Sequence, residues 1–380
     1  MNVVLVAGAR PNFMKIAPII DAITAAQAKG IQIDYTLVHT GQHYDAKMSE
    51  EFFLQLGIPE PHVNLGAGGG TQAQQTAAIM TGFEEYLANH PGDLVLVVGD
   101  VTSTLACSIV AKKMGIRVAH VEGGIRSRDM TMPEEINRIV TDAISDYFFT
   151  TSVTANENLK QEGKRDDQIF FVGNTMIDTL KKHMPRLRRP QLWEDHGLSD
   201  GNYFVMTLHR PSNVDSKEQL AAILAAVKSG GGLPVIFPAH PRTKKNMEAF
   251  GISTEGFILT EPMGYLEFNY LVKHAKGVIT DSGGITEETT VMGIPCITLR
   301  DSTERPETCT IGTNELIGTD PSAIAPALEK IIRGDWKKGG VPELWDGKAA
   351  ARIVEILQQH GDAENAVEHR DIGVSSSTRG

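Results

Sequence analysis

The chain has 380 residues, 41% of them hydrophobic and 22% charged, a balance that excludes fibrous and disordered classes. At roughly 150 residues per domain, that length suggests two domains with room for a third. The net charge of −11, from 36 basic and 47 acidic residues, speaks against a nucleic-acid or anionic-membrane surface while allowing a local cationic pocket.

Short apolar runs alternate with amphipathic stretches through the first half. Val3–Ala7, Tyr35–His39, Leu94–Val98, Val118–Val121, Tyr147–Thr150 and Ile169–Val172 are rich in β-branched or aromatic residues and lack strict alternation. Strands buried on both faces read this way. Between them, Met14–Lys29, Ala46–Leu56, Thr71–Asn89, Ser103–Met114, Glu134–Ile144 and Ala155–Glu162 have helical spacing. The alternation predicts a parallel sheet with helices on both faces. Around Lys181–Asn202 it breaks into a basic stretch with Pro185, Pro190, Gly197 and Gly201, read as a connection between domains. It resumes with strands at Tyr203–Leu208, Pro234–Phe237, Phe257–Leu259, Val278–Thr280 and Cys296–Leu299. Helices are expected at Lys217–Lys228, Tyr265–Val272, Thr286–Met292 and Pro321–Arg333. Two such domains facing one another would leave a cleft at the carboxyl ends of their strands, where open sheets bind ligands.

Chemistry-bearing residues gather at those strand ends. Arg10 follows the first strand and Lys15 lies one turn into the next helix, where cations oppose the helix dipole and suit an anionic ligand better than open solvent. Asp100 and Glu122 each follow a strand, and Glu134 opens a helix with Arg138 four residues on, hence on the same face. Singly, these are an N-cap, a dipole-matched acid and a surface ion pair. Together they form a carboxylate cluster suited to general acid–base work. His209 and His240 end consecutive strands on the cleft side. Ser282-Gly283-Gly284 joins a strand to a helix, either as an ordinary N-capped turn or as a diphosphate site made of free N–H groups. Glu288, one turn further, is placed to accept hydrogen bonds from ribose hydroxyls.

Other chemistries lack their signatures. No apolar run approaches the roughly 18 residues that cross a bilayer, and Val3–Ala7 runs into Gly8-Ala9-Arg10-Pro11 without the flanks of a signal peptide. Cys107, Cys296 and Cys309 form no C-x-x-C pair, so neither disulfides nor a zinc site is expected and a reducing cytoplasm is the natural compartment. There is no P-loop, no strand-linked G-x-G-x-x-G, no H-E-x-x-H and no G-x-S-x-G.

In order and together, the motifs resemble the UDP-N-acetylglucosamine 2-epimerase family. They are Gly8–Pro11, Thr40-Gly41-Gln42-His43, Gly99-Asp100, His120–Arg126, Pro133–Arg138, Gly173-Asn174-Thr175, Thr207–Arg210, Asp281–Glu288 and Thr303–Glu307. The resemblance implies a GT-B-type fold of two Rossmann-like, doubly wound domains facing a central cleft. Residues 1–180 would carry the acid–base carboxylates, 181–202 the connection, 203–360 the UDP-binding domain and 361–380 a frayed tail. It implies interconversion of UDP-GlcNAc and UDP-ManNAc by elimination of UDP to a 2-acetamidoglucal and re-addition, without metal or other cofactor. Asp100, Glu122 and Glu134 match proton-transfer positions, and Arg138 and His209 match supporting ones. Arg10, Lys15, Phe268, Ser282, Gly283, Gly284, Glu288 and Arg305 match nucleotide-binding positions, with Phe268 on the uracil. A cytoplasmic homodimer serving polysaccharide biosynthesis is the accompanying expectation.

The chain departs from the family pattern at Ala9, Asn12, Pro211 and Ser212. Many bacterial members bind a second UDP-GlcNAc as activator near Gln42-His43 and the segment following His209. Ser212 replaces a glutamate there, and Gly66–Gly70 stands where others carry a basic residue, which predicts turnover without that activator. Two other enzymes stay open: a hydrolysing epimerase releasing ManNAc, and a GT-B glycosyltransferase, against which the third carboxylate argues.

Overall fold

The computed structural model describes residues 1–41 and 53–360, apart from the side chain of Arg10. Gln42, His43, part of the helix expected at Ala46–Leu56, and the tail from residue 361 lie outside the described residues. The chain forms two compact units, Met1–Thr179 with the stretch beginning at Asp346, and Leu180–Trp345.

The first unit is built on seven parallel strands: β1 Asn2–Ala7, β2 Asp34–His39, β3 Val63–Asn64, β4 Leu94–Val98, β5 Arg117–Val121, β6 Tyr147–Thr150 and β7 Ile169–Phe171. Their order is β3-β2-β1-β4-β5-β6-β7. Val3, Val4, Leu5 and Val95 to Val97 are fully buried, as continuous apolar strands must be when helices cover both faces. Leu5 lies in register with Leu37 on one side and Leu96 on the other. The helix Arg10–Gln27 buries Ile16, Ile19, Ile20 and Ile23, a stripe at helical spacing against the sheet.

The second unit repeats the plan with six parallel strands: β8 Phe204–Thr207, β9 Val235–Pro238, β10 Phe257–Thr260, β11 Gly277–Thr280, β12 Cys296–Thr298 and β13 Asn314–Leu316. The order is β10-β9-β8-β11-β12-β13. In both sheets the order reverses beside the unit's first strand, between β1 and β4 and between β8 and β11. The crevice outside such a reversal is where doubly wound sheets bind ligands.

Two boundaries differ from the sequence reading. The stretch 181–202 belongs to the second unit: Trp193 and Leu198 are buried in its core beside Tyr203. Arg189 lies over the Trp193 ring at 5.3 Å and donates to Tyr270 Oη at 3.0 Å. Prolines and arginines mark a connection by composition, but two large apolar side chains outweigh them. At the other end, residues 346–360 join the first unit instead of closing the second. The Asp178 carboxylate accepts Ala349 N–H at 3.1 Å and Ala350 N–H at 2.7 Å, and Ile353, Val354 and Leu357 are buried. Edge strands β3 and β13 carry too few apolar residues to be read from sequence.

Candidate active site

At the reversal of the first sheet, the turn after β1 is fixed by Asn12. Its Oδ1 accepts from Gly8 N at 3.1 Å and Ala9 N at 2.9 Å, while Nδ2 donates to Val98 O at 3.0 Å. One buried amide thus ties the β1 turn to the end of β4. Lys15 Nζ lies 2.7 Å from Glu122 Oε2, with both side chains largely buried. Glu122 follows β5 with φ at 71°, a left-handed conformation uncommon for a residue with a side chain, costing about 1–3 kcal/mol. Gly99 also has positive φ, at 70°. A Cβ there would sit 3.4 Å from Lys15 Nζ and 3.7 Å from Glu122 Oε2, so the lysine–glutamate pair lies directly against the turn that carries Asp100.

Asp100 keeps 31% of its side chain exposed. Arg138 Nε donates to its Oδ2 at 3.0 Å, and Asn137 Nδ2 donates to its carbonyl oxygen at 2.8 Å. The other edge of the Arg138 guanidinium meets Glu135 Oε2 at 2.7 Å. Glu135 also accepts Ser127 N–H and Arg128 N–H at 2.9 and 2.8 Å. Burial alone would raise the Glu135 carboxyl, but these N–H groups and Arg138 bring it below its ordinary range. The ion pair expected between Glu134 and Arg138 is therefore replaced by Arg138 with Asp100 and Glu135. Glu134 is half-buried in the first helical turn. Among the described residues no hydrogen bond or ion pair joins it to Asp100 or Glu122.

At the reversal of the second sheet, Asp281 is fully buried at the end of β11. It accepts His209 N–H at 3.0 Å, Arg210 N–H at 2.9 Å and Asn213 Nδ2–H at 3.1 Å. His209 Nδ1 lies 2.7 Å from Asp281 Oδ1, so that nitrogen carries a proton and the ring orientation is fixed. Burial would raise Asp281, and His209 with these donors holds it below the usual carboxylate range. His209, His240, Phe268 and Ser282 line one cavity of about 230 Å³ together with Thr207 and Ile285. His240 caps the helix Pro241–Phe250, its Nδ1 accepting Arg242 N–H at 3.3 Å. Burial, then His209 and Arg242, lowers its pKa. Gly283 and Gly284 open the helix Gly283–Met292, whose N-cap Ser282 makes no side-chain cap bond, and the first N–H groups of a helix have no partner within it.

Glu288 is buried, takes a hydrogen bond from Tyr265 Oη at 2.8 Å, and is pushed by burial up to about 7. Arg305 is buried in an ion pair with Glu287. Asn12, Glu135 and Tyr265 had no assigned role in the sequence reading. Their partners lie in other elements, so nothing in local spacing marked them. Among the described residues, no group of three or more His, Cys, Asp or Glu side chains could hold a metal.

Two parallel sheets, each with titratable side chains at its point of reversal, define the class: a two-unit α/β protein of the GT-B-like kind. Residues 25–358 match the family model described as UDP-N-acetylglucosamine 2-epimerase. A UDP-N-acetylglucosamine 2-epimerase of Methanocaldococcus jannaschii is 39% identical over 370 residues, covering 94% of this chain and 99% of the relative. A crystal structure of the UDP-GlcNAc 2-epimerase of that organism, in complex with UDP-GlcNAc and UDP, superposes with a TM-score of 0.83 at 39% identity, covering 94% of this chain and 100% of that one. A UDP-2,3-diacetamido-2,3-dideoxy-D-glucuronate 2-epimerase of Pseudomonas aeruginosa is 38% identical over 366 residues, covering 94% of this chain and 99% of the relative. The chain belongs to the UDP-N-acetylglucosamine 2-epimerase family and is an isomerase acting at C-2 of a UDP-N-acetylhexosamine.

Proposed function

We propose that this enzyme interconverts UDP-GlcNAc and UDP-ManNAc without net hydrolysis. The observation that carries the proposal is the pair of carboxylates at adjacent strand ends, Asp100 with Arg138 and Glu122 with Lys15, each facing its own cation. The C-2 proton has no carbonyl on the neighbouring ring carbon to acidify it, so direct abstraction and return is costly. Elimination avoids this: a carboxylate takes the C-2 proton as the C-1–oxygen bond breaks, and that bond's electron pair leaves with UDP. The 2-acetamidoglucal is then protonated at C-2 from the other face while the UDP oxygen re-forms the bond to C-1. Asp100, Glu122 and Glu134 serve the proton transfers, and Arg138 orients Asp100.

His209, its ring fixed by Asp281, supports the departing diphosphate, and the N–H groups at Ser282-Gly283-Gly284 receive it. Phe268 packs on uracil, Glu288 accepts the ribose hydroxyls, and His240, Arg305 and Arg10 complete the nucleotide contacts. Lys15, read from sequence as a substrate contact, also holds Glu122. No metal enters this route. Three free cysteines, two of them buried, suit a reducing cytoplasm, and among the described residues no helix is long and apolar enough to cross a membrane. The working form in this reading is a homodimer, which light scattering tests.

Turnover of UDP-GlcNAc in deuterium oxide, followed by NMR, tests the mechanism. Deuterium should appear at C-2 of both nucleotide sugars with no free sugar. Product without deuterium would overturn the route, and accumulating ManNAc with UDP would assign the hydrolysing reaction instead. Parallel assays with the 2,3-diacetamido uronate substrate decide the sugar, and UDP-GlcNAc is expected to be preferred. Reaction from pure UDP-ManNAc should start without a lag, since Ser212 lacks the charge and reach of a glutamate. Losing one charge-assisted hydrogen bond costs roughly 1.5–3 kcal/mol, about tenfold or more in affinity. A lag abolished by traces of UDP-GlcNAc would show that an activator site persists.

A further inference from the structure

Beneath the turns that carry Asp100 and Glu122 lies a charged network to which the proton-transfer scheme gives no part. His120, on β5, is fully buried. Its Nδ1 is 2.6 Å from Asp142 Oδ1, and its Nε2 is 2.8 Å from the Gly99 carbonyl oxygen. A carbonyl oxygen has no proton to give. Asp142 also accepts Gly124 N–H at 2.9 Å and faces Arg126 Nη1 at 2.7 Å. Burial alone would raise Asp142, yet His120, Arg126 and Gly124 N–H hold it below the usual carboxylate range. Nε2 of His120, facing a carbonyl oxygen, therefore donates to it, while Nδ1 faces the Asp142 carboxylate.

The ends of this network are what matter for the reaction. The Gly99 carbonyl belongs to the peptide that leads into Asp100, and Gly99 N–H donates to Val121 O at 3.0 Å, one residue before Glu122. Gly124, the other anchor, follows Glu122 by two residues. Gly99, Glu122 and Gly124 all have positive φ, at 70°, 71° and 80°. Local preference does not hold a glutamate in that conformation, so tertiary bonds must. We propose that His120 is a positioning residue: its bond to Gly99 O, backed by Asp142, fixes Asp100 relative to Glu122 for proton transfer at C-2. The proposal rests on the assignment of those two carboxylates to the proton transfers.

The test compares His120→Asn and His120→Gln, with Asp100→Asn as reference. An asparagine amide nitrogen reaches the place of Nδ1 and can serve Asp142 but not Gly99. A glutamine amide nitrogen reaches the place of Nε2 and can serve Gly99 O. His120→Asn should lower kcat roughly tenfold to a hundredfold, the scale of a displaced catalytic group. KM and UDP affinity should stay within about twofold. His120→Gln should recover most of the lost kcat. A normal kcat in His120→Asn while Asp100→Asn is inactive overturns this proposal alone, as do losses in both variants that simply follow their melting temperatures. A normal rate in Asp100→Asn overturns the proton-transfer assignment and this proposal with it. Should neither His120 variant fold, nitrogen NMR of the wild-type protein decides. One of its 12 histidines should show an Nε2–H signal protected from exchange at neutral pH, as the bond to Gly99 O requires, and the absence of any such signal overturns the proposal.

Discussion

Glu288 shows what one side chain's surroundings can do. Burial pushes its carboxyl up to about 7, with the neighbouring Glu287 adding to the rise and the Tyr265 hydroxyl partly opposing it. Its pKa in the folded protein lies above the ordinary carboxylate value, so its contribution to stability is full below that value and is lost as pH rises through about 7. Ribose hydroxyls donating to this group would favour the carboxylate and expel the proton. UDP binding near pH 7 is therefore expected to release a fraction of a proton, fading above about pH 8.5 where the group is already ionised. Calorimetry in two buffers of different ionisation enthalpy measures this. Proton uptake, or a pH-independent signal, would remove Glu288 from the ribose contacts.

The helix Gly283–Met292 starts at a backbone left open, with no side-chain cap at Ser282. At Gly283 an added Cβ would meet nothing nearer than Glu304 Oε2 at 3.9 Å and Arg300 Nη1 at 4.0 Å, so the fold itself does not require glycine there. Replacing glycine by alanine at a compatible helical site stabilises by about 0.4–1 kcal/mol. Gly283→Ala should accordingly melt at or slightly above the wild-type temperature and yet bind UDP more weakly if, as proposed, the diphosphate approaches the backbone there, since the methyl would stand in its way. Unchanged UDP affinity would mean that the diphosphate binds elsewhere. The spacing Asp281-Ser282-Gly283-Gly284 made this turn legible in the sequence. The role of Asp281 was not legible, because its partners His209, Arg210 and Asn213 come from the end of β8 and the segment beyond it.

On the scale of the whole molecule, the chain leaves the first unit after Thr179 and re-enters it at Asp346, and Asp178 ties these two points together. Its carboxylate caps two N–H groups, Ala349 and Ala350, at the start of the helical stretch that begins at residue 349. Losing a cap costs about 0.5–2 kcal/mol, which in a chain of this size lowers the melting temperature by a few degrees. Burial pushes Asp178 up to about 6 against the pull of those two N–H groups. Its stabilising contribution is thus largest below the ordinary aspartate range and falls as pH rises through about 6. Asp178→Ala should therefore lower the melting temperature more at about pH 5 than at about pH 8. Equal losses at both would mean that the carboxyl is not perturbed by its burial.

Alternation of doubly buried apolar runs with helical stretches is a property of local sequence, and so the parallel sheets and most of their strands could be read from residues alone. The places of Asp100, Glu122, His209 and Ser282–Gly284 after strands could be read in the same way, and such places are where a doubly wound sheet binds ligands. The partners of those groups were decided by tertiary structure. Arg138 turns to Asp100 and Glu135 instead of Glu134, and Lys15 reaches Glu122 across 107 residues of sequence. Asn12 acts on the backbone at the end of β4, and Asp142 and Asp281 act on backbone groups just beyond the ends of β5 and β8. A side chain's chemistry is written in its own residue type, but its protonation and orientation depend on which charges and N–H groups the fold brings to it, and these pairings have no local period to betray them.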